Sequence, residues 1–189
     1  MRAKKLILTI VLAVLGMAIL AFIGFVAFAY FFVFPHETHS LRKYSQLRAS
    51  WDQELVGHFP TELPRSATLK KFSHFPGFLQ GGAHIQVRLR LPAVDIRQLY
   101  GQFVAQRTKS FFGGDTNRHM NEKEGMPTTF FMTGDTDDHS FPNDYEVMIF
   151  DRVLPESERP PGFYWNHGRS HGVAVSTNRN EIVYWAESW

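Results

Sequence analysis

Residues 6–34 form a nearly unbroken apolar run, interrupted only by Thr9 and preceded by Arg2, Lys4 and Lys5. At about 1.5 Å of rise per residue, a helix of that length exceeds the roughly 30 Å of a bilayer's hydrocarbon core. Ala27, Phe28 and Ala29 have the small-x-small form of a leader-peptidase site. An export core, however, spans about 7 to 15 residues. This run is longer and stays apolar through Tyr30, Phe31, Phe32, Val33 and Phe34, so it reads as an uncleaved signal anchor. The cations before it have no equally tight counterpart after it, and the positive-inside tendency then gives the order of the chain. Residues 1–5 are a short cytoplasmic N-terminus, residues 6–34 a transmembrane helix and residues 35–189 an extracytoplasmic domain. Tyr30 and its phenylalanine neighbours suit the aromatic belt at the outer interface.

Residues 35–189 are one domain's worth of chain, enough to bury a core without covalent staples. The absence of cysteine agrees, and it removes both disulfides and a lipid-attachment thiol. Of the 20 basic residues, three lie in the leader, leaving 17 against 18 acids, so the outer domain is close to neutral. Nothing in that balance favours nucleic acid. No Asn-x-Ser/Thr sequon occurs, consistent with a bacterial envelope protein.

Spacing predicts the elements. Leu41, Tyr44, Leu47, Trp51 and Leu55 recur at steps of three and four behind Ser40, a helix that Gly57 closes. Residues 57–82 are punctuated by proline and glycine and read as loop. Within them the triplet His58, Phe59, Pro60 recurs as His74, Phe75, Pro76, and both read as loop anchors against the core. Ile85, Val87, Leu89 and Leu91 alternate with His84, Gln86, Arg88 and Arg90, a strand with one buried and one wet face. A helix follows from Pro92, with Ile96, Leu99, Tyr100, Phe103 and Val104 on its apolar stripe and Arg107 and Lys109 in its last turn. Residues 128–133 and 145–150 read as strands, and residues 173–176 and 182–187 as a hairpin that places Tyr184 and Trp185 in the core. The expected fold is α+β: a two-layer domain with a mainly antiparallel sheet and helices on one face.

Three long loops, residues 113–127, 134–144 and 151–171, are where function is expected. Phe163, Tyr164 and Trp165 follow the rigid turn of Pro160, Pro161 and Gly162, and consecutive aromatics there offer a binding platform. His167 and His171 are the best-spaced metal candidates, but no third ligand accompanies them. Asp135 and Asp137 open a segment that resembles the start of a calcium loop, without its later glycine and glutamate. His36 and His39 lie at i and i+3, which does not reproduce the His-Glu-x-x-His spacing. Ser170 next to His171 has no nucleophile elbow around it, and no phosphate-binding glycine loop is present. The sequence therefore commits to no catalytic residue, no metal and no cofactor.

The expectation from these features is a single-pass envelope protein in a bacterial inner membrane, its outer domain facing the periplasm. That domain is expected to bind or scaffold another membrane or envelope protein, or to serve as a small subunit of a membrane complex. Gly16, Ala21 and Gly24 give the helix small surfaces for such contacts. The lipid bilayer is the partner of residues 6–34. The alternative is an extracytoplasmic hydrolase or metal-dependent enzyme drawing on loop histidines and aspartates.

Overall fold

A computed structural model describes residues 2–28, 30, 34–78, 82–114, 129–136, 139–151 and 169–188. The chain divides into two compact units, Met1–His36 and Glu37–Trp189.

The first unit is built on helix α1 (Arg2–Phe28). Its stretch Thr9–Phe28, 20 residues, is long and apolar enough to cross a membrane, and none of it is buried within the structure. Leu20, Phe22 and Phe25 are each about two-thirds exposed or more. Each such side chain left in water forgoes about 1.5–3 kcal/mol, so the whole face forgoes tens of kcal/mol, more than a domain's entire net stability.

The second unit is an α+β domain on one six-stranded antiparallel sheet, in the order β1-β2-β6-β5-β4-β3. The strands are β1 (Leu69–Phe75), β2 (Ala83–Arg90), β3 (Lys109–Phe112), β4 (Glu146–Ile149), β5 (Arg169–Ser176) and β6 (Glu181–Ser188). The alternation read in β2 has its physical meaning here: Ile85, Val87 and Leu89 point into one core together with Val173 and Val175 of β5 and Ile182 and Tyr184 of β6. Helices α2 (Tyr44–Ser50), α3 (Gln53–Val56) and α4 (Ala93–Val104) cover that face, contributing Tyr44, Leu55, Val56, Ile96 and Phe103 to the same core. Helix α4 lies between β2 and β3, which sit second and sixth in the sheet, so it carries the chain across the helical face.

The opposite face differs from the wet surface expected. Phe131, Phe141 and Tyr145 pack over Val147, Ala174, Val183 and Trp185 as a second core. Gln86 and Arg88, expected in solvent, are 1% and 2% exposed. A second layer of loop covers these positions, and hydrogen bonding rather than hydration satisfies them: Gln86 donates to the Phe130 carbonyl at 2.8 Å and accepts from the Thr133 amide at 2.8 Å.

Local differences have local causes. The helix expected over residues 40–55 is a 3-10 turn (Leu41–Lys43) running into α2, then a break, then α3. Trp51 turns extended at φ −81° and ψ 158°, and Asp52 starts α3 afresh by accepting the Glu54 amide at 3.0 Å. β1 falls in a region read as loop, and residues 129–133, read as strand, have no ladder. Lys109 opens β3 instead of closing a helix. At Gly172 of β5 a Cβ would lie 2.0 Å from the Met148 carbonyl oxygen, so only glycine lets β4 and Trp185 close in.

Candidate functional site

Three constellations concentrate the domain's chemistry. The first is an ionic cluster on the loop-covered face. The Glu181 carboxylate, itself fully buried, accepts from Arg88 at 2.7 Å, from Arg90 at 2.5 Å and from the Tyr145 hydroxyl. Burial opposes its ionisation, but the hydrogen bonds from Arg88, Tyr145 and Arg90 prevail and hold the group below the usual carboxylate range. Arg88 also reaches Asp135 at 2.8 Å, and Lys71 reaches the same carboxylate. Hydrogen bonds from these two cations hold Asp135 down at about 2. Asp135, a sequence candidate for cation binding, thus spends its charge on Lys71 and Arg88.

The second is a groove of about 440 Å³ at one end of the sheet. It is lined by Leu47 and Leu55 from α2 and α3, Trp51 from the break between them and His74 from β1, with Asp52 and Arg169 at its rim. The Trp51 and His74 rings meet edge to face at 6.2 Å, and Arg169 donates to Asp52 at 2.6 Å with both side chains about half exposed. The break between α2 and α3 turns Trp51 into this groove, a consequence no helical periodicity reveals.

The third joins the loop after α3 to β5. Asp151 accepts three bonds, from the His171 amide at 2.6 Å, from His171 Nδ1 at 2.9 Å and from the Ser170 hydroxyl at 3.2 Å. The His171 ring is thereby fixed with Nδ1 protonated and Nε2 carrying the lone pair. His58 lies beside it, ring centroids 5.4 Å apart, and donates from Nε2 to the Gly172 carbonyl at 2.8 Å. His58 Nδ1 is buried without a hydrogen-bond partner among the described residues. Burial, reinforced by the neighbouring His171, lowers the His58 pKa to about 3, so this imidazole is neutral across the physiological range.

Of the residues singled out by sequence, Phe163, Tyr164, Trp165, His167 and Asp137 lie outside the described residues. His171 is in place and oriented by Asp151, while the Ser170 hydroxyl bonds Asp151 and not His171, so these residues do not form a nucleophilic triad. Among the described residues, no group of three or more His, Cys, Asp or Glu side chains is arranged to hold a metal ion. The two histidine-containing triplets part company: His58 and Phe59 enter the helical core region, whereas His74 and Phe75 end β1. The repeated triplet marks His58 in the sequence but indicates only an anchoring role. Periodicity places Trp51 in a helix and the proline and glycine punctuation places His74 in a loop, so neither signal brings them to a shared groove.

No protein-family model, curated protein or solved structure matches this chain.

Proposed function

We propose that this chain is a single-pass, membrane-anchored protein whose larger domain binds another membrane or envelope protein on the extracytoplasmic side. The observation that carries the reading is the exposure of α1: an apolar surface that forgoes tens of kcal/mol in water is stable only in lipid or against apolar protein. The groove at Trp51 supports the binding half, since it offers an aromatic and two leucines within a charged rim, the composition that protein anchors use.

The chain is expected to stay with membranes through alkaline extraction and to keep its N-terminus. A reporter active only outside the cytoplasm should work when fused after Trp189. Release into the soluble fraction would refute the anchor, and activity of a cytoplasm-only reporter would reverse the topology. For the binding half, a photo-crosslinker placed at Ser50 on the groove should trap one stoichiometric membrane protein, and Trp51→Ala should abolish that product. Crosslinks spread over many proteins, or a product indifferent to Trp51, would refute the groove. The aromatic run Phe163, Tyr164 and Trp165 is proposed as a further contact, tested by loss of the same product in Trp165→Ala.

A second reading, an extracytoplasmic hydrolase or metal-dependent enzyme, rests on the Asp151–His171 pair, which orients an imidazole as a general base requires. Turnover that His171→Ala removes, with the fold intact, would favour it.

A further inference from the structure

The third constellation has a property that hydrogen bonding within the domain does not explain. Each of its two imidazoles is tied by one ring nitrogen to an acceptor, His58 Nε2 to the Gly172 carbonyl and His171 Nδ1 to Asp151. That fixes both tautomers and leaves one lone pair on each ring, at His58 Nδ1 and at His171 Nε2. A buried acceptor without a donor costs about 1–3 kcal/mol, so the unpartnered His58 Nδ1 calls for a compensating partner. Metal-ligating histidines show this same arrangement, donating the second ring N–H to a carboxylate or a backbone carbonyl, which raises ligand basicity and aims the ring.

Spacing agrees. Two imidazoles bound to one ion at about 2.0–2.1 Å with a tetrahedral angle have ring centroids roughly 5 Å apart, and the observed separation is 5.4 Å with the planes inclined at 44°. We propose that His58 Nδ1 and His171 Nε2 together bind one transition-metal dication of the imidazole-preferring kind, Zn²⁺, Cu²⁺ or Ni²⁺, with Asp151 and the Gly172 carbonyl orienting the rings. Two protein ligands leave the remaining positions to water, so the ion is exchangeable. Phe59, Phe150 and Tyr184 pack around the His58 ring and hold it in place. This site is independent of the groove and of the anchoring reading.

The test uses the untagged full chain in detergent micelles, titrated with Cu²⁺ followed by electron paramagnetic resonance and with Zn²⁺ followed by calorimetry. One tight site with two nitrogen ligands is expected. His171→Ala should weaken binding at least tenfold, and Asp151→Asn, which spares both ligands, should weaken it about 10–100-fold. The double substitution His36→Ala and His39→Ala should leave the tight site unchanged. His58→Ala is informative only if its circular dichroism matches the parent; if it unfolds, His171→Ala and Asp151→Asn carry the test, since both side chains are partly exposed. Absence of binding below about 1 mM in the parent chain, or binding that survives His171→Ala, overturns the proposal.

Discussion

The loop-covered face of the sheet buries polar side chains as well as apolar ones, Glu187, Glu181 and Arg88 among them. Glu187 is buried and held by the Thr129 hydroxyl, and burial pushes its pKa up to about 7 from an ordinary 4.5. Its folded-state pKa is raised, so the protonated form is the one the fold prefers. Stability from this group is full below about pH 4.5 and falls as pH rises towards 7, by roughly 3 kcal/mol in all at about 1.4 kcal/mol per unit. Glu187→Gln keeps a hydrogen-bonding terminus without the charge and should raise the melting temperature at pH 8 while leaving it nearly unchanged at pH 4. A variant equally stable to its parent at both pH values would show that Glu187 is solvated. Arg88 poses the converse case: with Glu181 fully buried, Arg88→Met strands part of a buried negative charge and should cost about 3–5 kcal/mol in chemical denaturation. None of this was legible in the sequence, where Gln86 and Arg88 alternate with aliphatics as solvent-facing residues do. Alternation reports that two faces differ in polarity; it does not report that a loop covers the polar one.

At the level of elements, legibility followed the strength of local periodicity. Strand β2, helix α4 and the hairpin of β5 and β6 were readable because their apolar stripes face one deep core with nothing competing. Strand β1 was not: it lies at the sheet edge, contributes Phe72 to the helical core, and carries Lys70, Lys71 and Ser73 in positions where the alternation dissolves. The helix over residues 40–55 kept its apolar stripe across a break, so periodicity alone could not place the break. The residue that does is Asp52, whose carboxylate caps α3 and also holds Arg169. The cap and the ion pair are separable by mutation. Asp52→Ala should cost about 1–2 kcal/mol, most of it from the lost cap, whereas Arg169→Ala should cost under about 1 kcal/mol because the pair is solvent-exposed. Equal losses from the two substitutions, measured by urea denaturation, would place the energy in the ion pair instead.

The whole molecule joins two solvents' worth of chemistry in one chain. Its first unit exposes the apolar side chains of Thr9–Phe28, while the second buries Ile85, Val87, Leu89, Val173 and Ile182 on one face of the sheet and Phe141, Tyr145 and Trp185 on the other. The hydrophobic pattern alone therefore distinguishes the two units, and the long apolar helix was legible for that reason, whereas Trp51 and His58 acquire their settings only once distant segments meet. The boundary also has a definite structural mark. Thr38 and His74 exchange backbone hydrogen bonds of 2.8 and 3.0 Å, and the Ser73 hydroxyl donates to Glu37 at 2.5 Å, so residues 37 and 38 are tied to β1 and belong to the second unit. A chain beginning at Glu37 keeps those bonds and both cores and sheds the exposed helix. It should be water-soluble without detergent, monodisperse, and native-like in near-ultraviolet circular dichroism, with a single cooperative transition. Beginning two residues later, at His39, removes the Thr38 pairing and the Glu37 carboxylate from the β1 edge, and the melting temperature should fall by several degrees, as a loss of about 1 kcal/mol does in a domain of this size. A chain from Glu37 that aggregates or shows only molten secondary structure would mean that the apolar helix is part of the fold itself, and equal stability of the two truncations would remove residues 37 and 38 from it.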